Sequence, residues 1–161
     1  MERIRLGNTV LEGINNVYVL RGEETVLIDS GVATAETKAE LAAELAELGL
    51  TYADIDRLFL THWHYDHAGL AGHIQQKSGA TVHIHEADAP LVAGDGDSLI
   101  EEQSLQEEKF GEWQIPDGPR QELMSFLEGH ADLRGDAVDV SPFEGGDRFE
   151  VNGLELEAVH L

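Results

Sequence analysis

The sequence predicts an α/β domain, and three observations carry that expectation. Short β-branched or apolar runs alternate with segments of helical period along most of the chain, the pattern of layered α/β architectures. The 161 residues, 42% of them hydrophobic, suit one packed core. No internal repeat or low-complexity tract interrupts the alternation.

Residues 15–20 and 25–29 are strand-like runs joined by Arg21, Gly22, Glu23 and Glu24, a turn of hairpin length, so the two strands pair. Thr37 and Glu40 have capping-box spacing, Leu41, Leu45 and Leu48 share one helical face, and Gly49 sits where a left-handed cap ends a helix. Residues 57–61 read as a third strand, 70–78 as a helix closed by Gly79, and 81–85 as a fourth strand. After Pro90 the character changes. Residues 95–109 and 118–127 read as polar helices around a loop at 115–119, a helical insertion over about residues 94–130 of a single domain spanning 1–161. Its apolar members, Leu99, Ile100, Leu105, Phe110, Trp113, Leu123, Met124, Phe126 and Leu127, are expected to seat the helices on the domain rather than line a substrate entrance. Residues 129–146 read as a loop, and strands at 148–151 and 154–161 flank Asn152 and Gly153, a strong hairpin signal.

Charge narrows the functions. Ten Lys and Arg against 32 Asp and Glu give a net charge of -22, and the only lysines are Lys38, Lys77 and Lys109. Such a surface repels nucleic acid and anionic lipid, and its self-repulsion needs salt to screen it. A salt-requiring protein of the kind made by halophilic archaea is expected. No apolar run approaches the roughly 20 residues of a membrane helix, the N-terminus shows no signal-like stretch, and a cytoplasmic location follows. With zero Cys, any metal must be taken by imidazole and carboxylate.

The chemistry concentrates in Thr61-His62-Trp63-His64-Tyr65-Asp66-His67-Ala68-Gly69, where three imidazoles and one carboxylate fall between an apolar strand and a helix. In extended backbone His62 and His64 point to one side and reach one ion. Asp66 and His67, beyond the bend, face a second ion or an activated water, and Gly69 allows the tight turn.

This loop resembles the His-x-His-x-Asp-His signature of the metallo-β-lactamase superfamily of metallohydrolases. The resemblance implies the N-terminal half of an αββα sandwich. It implies His62 and His64 as ligands of a first metal, Asp66 and His67 as ligands of a second, and Asp66 as the group that orients or deprotonates the attacking water. It further implies that Asp29, within Val26-Leu27-Ile28-Asp29-Ser30-Gly31, props the histidine loop through hydrogen bonds, as metal-bound imidazoles need. The implied cofactor is one or two divalent ions, zinc first, with iron or manganese also compatible. The implied activity is hydrolysis of a small-molecule ester, thioester or lactone by a metal-activated hydroxide, with the glyoxalase II-like branch as the likeness. Other readings are a nuclease of the same fold, opposed by the acidic charge, and a noncatalytic metal-binding or interaction module.

His73, His83, His85 and His130 are expected to be ordinary polar residues. Residues 154–161 look like the family strand that leads into the next motif, usually Pro-Gly-His, so His160 precedes that motif and takes no ligand role. Two imidazoles fall short of the three protein ligands of a catalytic zinc. The chain is therefore expected to be truncated, or completed by a second polypeptide, and a poor catalyst alone.

Overall fold

The computed structural model describes residues 1–8, 13–129 and 131–160; His130 and Leu161 lie outside them. Strands β1 (Glu2–Asn8), β2 (Gly13–Arg21) and β3 (Thr25–Ile28) pair antiparallel in sequence order. From β3 onward the pairing turns parallel, adding β4 (Arg57–Phe59), β5 (Thr81–His85) and β6 (Val140–Phe143), so the sheet runs in chain order. Parallel neighbours need crossovers, usually helical. Here α1 (Ala35–Glu47) joins β3 to β4, and α2 (Tyr65–Ala68) with α3 (Ala71–Ser78) joins β4 to β5. Helices α4 (Ala89–Ala93), α5 (Gly96–Glu112) and α6 (Asp117–Gly129) lie between β5 and β6. A separate hairpin, β7 (Arg148–Val151) and β8 (Leu154–Glu157), begins a second sheet.

Alternation along the strands divides the apolar residues between two cores. Val19, Leu27, Leu58 and Val82 are register partners across four strands and are fully buried with Leu41 and Leu45 of α1 and Ile74 of α3. Their neighbours Leu20, Val26 and Phe59 face the opposite side and pack against Val151, Phe149 and Leu156 of the hairpin. The two-faced sheet with helices on one side and a second sheet on the other is the first half of the expected layered sandwich. At the turn of the second hairpin Asn152 and Gly153 both have positive φ, 52° and 79°, as a tight hairpin turn demands. The Asn152 amide then exchanges two 3.0 Å hydrogen bonds with the Glu24 backbone. Gly22 allows that approach, since a Cβ there would lie 2.4 Å from the Asn152 side chain.

Several boundaries differ from the sequence reading, each for a visible reason. The cap of α1 is Thr34, whose hydroxyl accepts from the Thr37 amide at 3.1 Å, while Glu40 accepts from the Gly7 amide of β1. Gly49 is left-handed as expected. β1, where Ile4 and Leu6 alternate with Arg3 and Arg5 in period two, is a strand beyond those expected. β6 falls inside the supposed 129–146 loop; it carries Pro142, which a sheet tolerates at an edge. The last strand stops at Glu157 instead of running to 161. In the insertion only Phe110 is buried among the described apolar side chains, whereas Ile100, Leu105, Trp113 and Leu123 are exposed. Seating on the domain is thus limited. The side chains of Phe126 and Leu127 lie outside those described.

Candidate metal centre

The loop after β4 leaves the sheet because its backbone groups find other partners. The Leu60 amide still donates to the His83 carbonyl of β5, at 2.8 Å, but the Thr61 amide donates to the Asp29 carboxylate, at 2.8 Å. Asp29 follows β3 with φ of 61°, a left-handed conformation that Asp tolerates better than most residues and that commonly marks functional sites. Its carboxylate is almost wholly buried. It accepts from Thr61 Oγ1, at 2.9 Å and 3.0 Å to its two oxygens, and from His67 Nδ1 at 2.8 Å. Ser30 holds the far end of the loop: its amide and hydroxyl both donate to the His67 carbonyl, at 2.8 Å and 2.7 Å. Gly69 is needed for closeness rather than torsion, since φ is -57° and an added Cβ would meet the Ala33 nitrogen at 2.7 Å.

Proton bookkeeping sets the imidazoles. Asp29 only accepts when ionised, so His67 carries its proton on Nδ1, and the neutral ring presents a lone pair at Nε2. The Thr61 hydroxyl has one hydrogen, directed to Asp29, so at 3.0 Å from His62 Nδ1 it accepts. His62 therefore also presents Nε2. The ring centroid of His62 lies 4.1 Å from that of His67 and 4.7 Å from that of His64. Burial first, then the neighbouring His67 and His64 imidazoles, push the His62 pKa down, favouring the neutral form. The hydrogen bond to Asp29 is the largest influence on His67 and raises its pKa.

Asp66 Oδ2 stands 3.6 Å from His67 Nε2 and accepts from Asn15 Nδ2 at 2.8 Å. Two electron-rich atoms facing one another at that distance call for a cation, either a proton on His67 or a metal ion. Asn15 is oriented in turn by Asn8, whose amide donates to its carbonyl at 2.9 Å. Nothing local in the sequence marks Asn15, which lies 51 residues from its partner. Among the described residues no group of three or more His, Cys, Asp or Glu side chains is placed to hold a metal ion as it stands. The donor types and the buried Asp29 carboxylate behind them suit a divalent cation; among the described residues the full coordination set is not assembled.

The remaining described histidines, His73, His83, His85 and His160, are packed elsewhere. His83 stacks on Phe59 at 4.6 Å, and its pKa is lowered by burial and then by Arg57. His73 meets Tyr52 edge-on, and His85 stacks on His160 at 4.0 Å. Among the described residues no helix is long and apolar enough to cross a membrane.

Residues 10–157 match the metallo-beta-lactamase superfamily. The probable metallo-hydrolase YqjP of Bacillus subtilis is 43% identical over 54 residues, 34% of this chain and 17% of that protein. Atrochrysone carboxyl ACP thioesterase of Aspergillus fumigatus is 37% identical over 68 residues, 42% of this chain and 21% of that protein. Among solved structures, a metallo-beta-lactamase family protein from Thermus thermophilus superposes with a TM-score of 0.64 at 24% identity, covering 97% of this chain and 50% of its own. The metallo-beta-lactamase GOB-18 from Elizabethkingia meningoseptica gives 0.64 at 19% identity, covering 99% and 51%. The chain thus spans about half the length of these structures and about a fifth of the curated relatives.

Proposed function

The chain belongs to the metallo-beta-lactamase superfamily, and from that premise we propose that it carries the first metal-binding loop of a metal-dependent hydrolase. His62 and His64 would hold one divalent ion, Asp66 and His67 a second. A divalent ion, zinc first, supplies Lewis acidity that acidifies water and polarises a carbonyl. The chain's own part is positional. Asp29 and Thr61 keep Nε2 of His62 and His67 free for a ligand, and Asn15 orients Asp66, the carboxylate that would hold the attacking water. The observation that carries this reading is the buried Asp29 carboxylate, bound at once to Thr61 and to the far nitrogen of His67, the contact by which metal-binding imidazoles are oriented.

The substrate class we favour is a small thioester or lactone, in the manner of the glyoxalase II-like branch. The thioesterase named among the relatives supports acyl chemistry. The charge of -22 supports a small molecule over nucleic acid, and a protein that works at high salt in a cytoplasm of that kind.

The test is metal content per chain after dialysis in molar potassium chloride, at the natural gene's full length, with turnover of a thioester and lactone panel. Replacing His62 and His64 together by Ala should lower retained metal at least about tenfold and abolish turnover. Unchanged metal content in that variant would remove the ligand assignment.

A further inference from the structure

Against the histidine loop lies a pocket of about 430 Å³, within the span of small-ligand sites. Trp63 and Tyr65 of the loop, Leu91 and Val92 of α4, Leu99 of α5 and Val138 ahead of β6 form its apolar walls. His62, His64, Asp66 and His67 are not among its lining residues. The pocket shares the histidine loop as one wall, through Trp63 and Tyr65, and is lined by residues other than the four candidate ligands.

Two charged side chains reach the lining, and they differ. Asp136 lies 4.0 Å from Lys38 Nζ, so its charge is met. Arg134 lies along the aromatic wall, its guanidinium carbon 5.8 Å from the Tyr65 ring centroid and its Nε donating to the Tyr65 hydroxyl at 3.4 Å. Of its nitrogens, Nε makes that contact. Among the described residues no carboxylate pairs with it, although acids outnumber bases 32 to 10 in this chain. Arg57 has Glu24, Arg148 has Glu155 and Glu157, and Lys109 has Glu112, whereas Arg3, Arg5, Arg21, Lys77 and Arg120 share the lack of a carboxylate partner among the described residues; what sets Arg134 apart is its place in the pocket lining, against the Tyr65 ring. A guanidinium held on an aromatic ring beside an apolar cavity suits an apolar body that ends in a carboxylate, which it can take by two parallel hydrogen bonds.

We propose that this pocket binds a medium-chain carboxylate, its tail among Leu91, Val92, Leu99 and Val138 and its head on Arg134. The site goes beyond the hydrolase reading and needs no metal.

The chain has two Trp, and Trp113 is exposed, so Trp113→Phe leaves Trp63 in the pocket wall as the sole indole reporter. Sodium octanoate is titrated into this variant in chelator-treated buffer at fixed ionic strength, with 1-octanol and acetate as controls. Octanoate should change Trp63 emission saturably and bind about tenfold tighter than octanol, the worth of a charge-assisted contact at a partly solvated mouth. Acetate should do nothing, and Arg134→Gln should bring octanoate to the octanol level. No saturable change with octanoate, equal binding of octanol, or unchanged octanoate binding in Arg134→Gln each overturns the proposal. Metal retention is measured independently, so loss of metal binding with octanoate binding intact counts only against the hydrolase reading.

Discussion

The histidine loop and the helical insertion each follow a parallel strand, yet they are held in opposite ways. The loop is tied to residues far off in the chain: Thr61 and His67 to Asp29, the His67 carbonyl to Ser30, and Asp66 to Asn15, across 32 to 51 positions. The insertion is closed mainly on itself. Asp95 caps α5 through the Ser98 amide, Lys109 pairs with Glu112, and Arg120 of α6 reaches the Glu107 carbonyl of α5. Its Ile100 and Trp113 are 64% and 67% exposed. Functional geometry here comes from a few nonlocal polar bonds, so single substitutions should damage it, whereas the insertion should absorb change.

The largest effect is expected at Asp29. Asp29→Ala strands the Thr61 amide and the His67 Nδ1–H and places Ala in a left-handed conformation, so urea unfolding should show a loss of about 3 kcal/mol. Metal affinity should fall about 10- to 100-fold. Asp29→Asn, which keeps the conformational tolerance and one acceptor oxygen, should fall between. A fully stable Asp29→Ala protein would erase the contrast between the two regions.

Asn15→Ala removes one hydrogen bond to Asp66 and should cost about 1 kcal/mol by the same measurement, with weaker metal binding as the sharper readout. Tyr52 offers a pH test outside both regions. Its hydroxyl donates to the Lys38 carbonyl of α1 at 2.8 Å, and burial pushes its pKa up to about 12 from an ordinary 10.0. A folded-state pKa above the unfolded one means that stability is full below pH 10 and declines as pH rises toward 12. Tyr52→Phe should flatten that part of the stability profile; an unaltered slope would assign it to other groups. Smallest of all, Ile100→Ser should shift unfolding free energy by no more than about 0.5 kcal/mol. A larger loss would show that the insertion is seated more firmly than its exposure indicates.

Periodicity made much of the sheet and its helices legible, because burial writes a local pattern. Leu41 and Leu45 announce the inner face of α1, Gly79 the end of α3, and Asn152 with Gly153 the second hairpin. The pattern fails where burial is one-sided or interrupted, as at β6 with Pro142, and at the start of α1, where Thr34 rather than Thr37 takes the cap. The donor types were visible as a cluster in one short stretch. Their orientation was legible only in part: the resemblance implied Asp29 as the prop of the loop, but Asn15 and the Ser30 clamp act through space and leave no local mark, and neither does the capture of the Thr61 amide by Asp29 across 32 residues.

Asp29 and Thr61 fix His62 and His67 with the proton on Nδ1 and the lone pair on Nε2, an arrangement ready for a divalent ion. Long-range proton–nitrogen correlation spectra of the chain labelled with ¹⁵N at histidine, recorded metal-free at slightly alkaline pH and again after zinc addition, test it directly. The expected result is an Nδ1–H tautomer for both rings and a zinc-induced shift at their Nε2 nitrogens. Nε2–H tautomers, or spectra that zinc leaves unchanged, would contradict it.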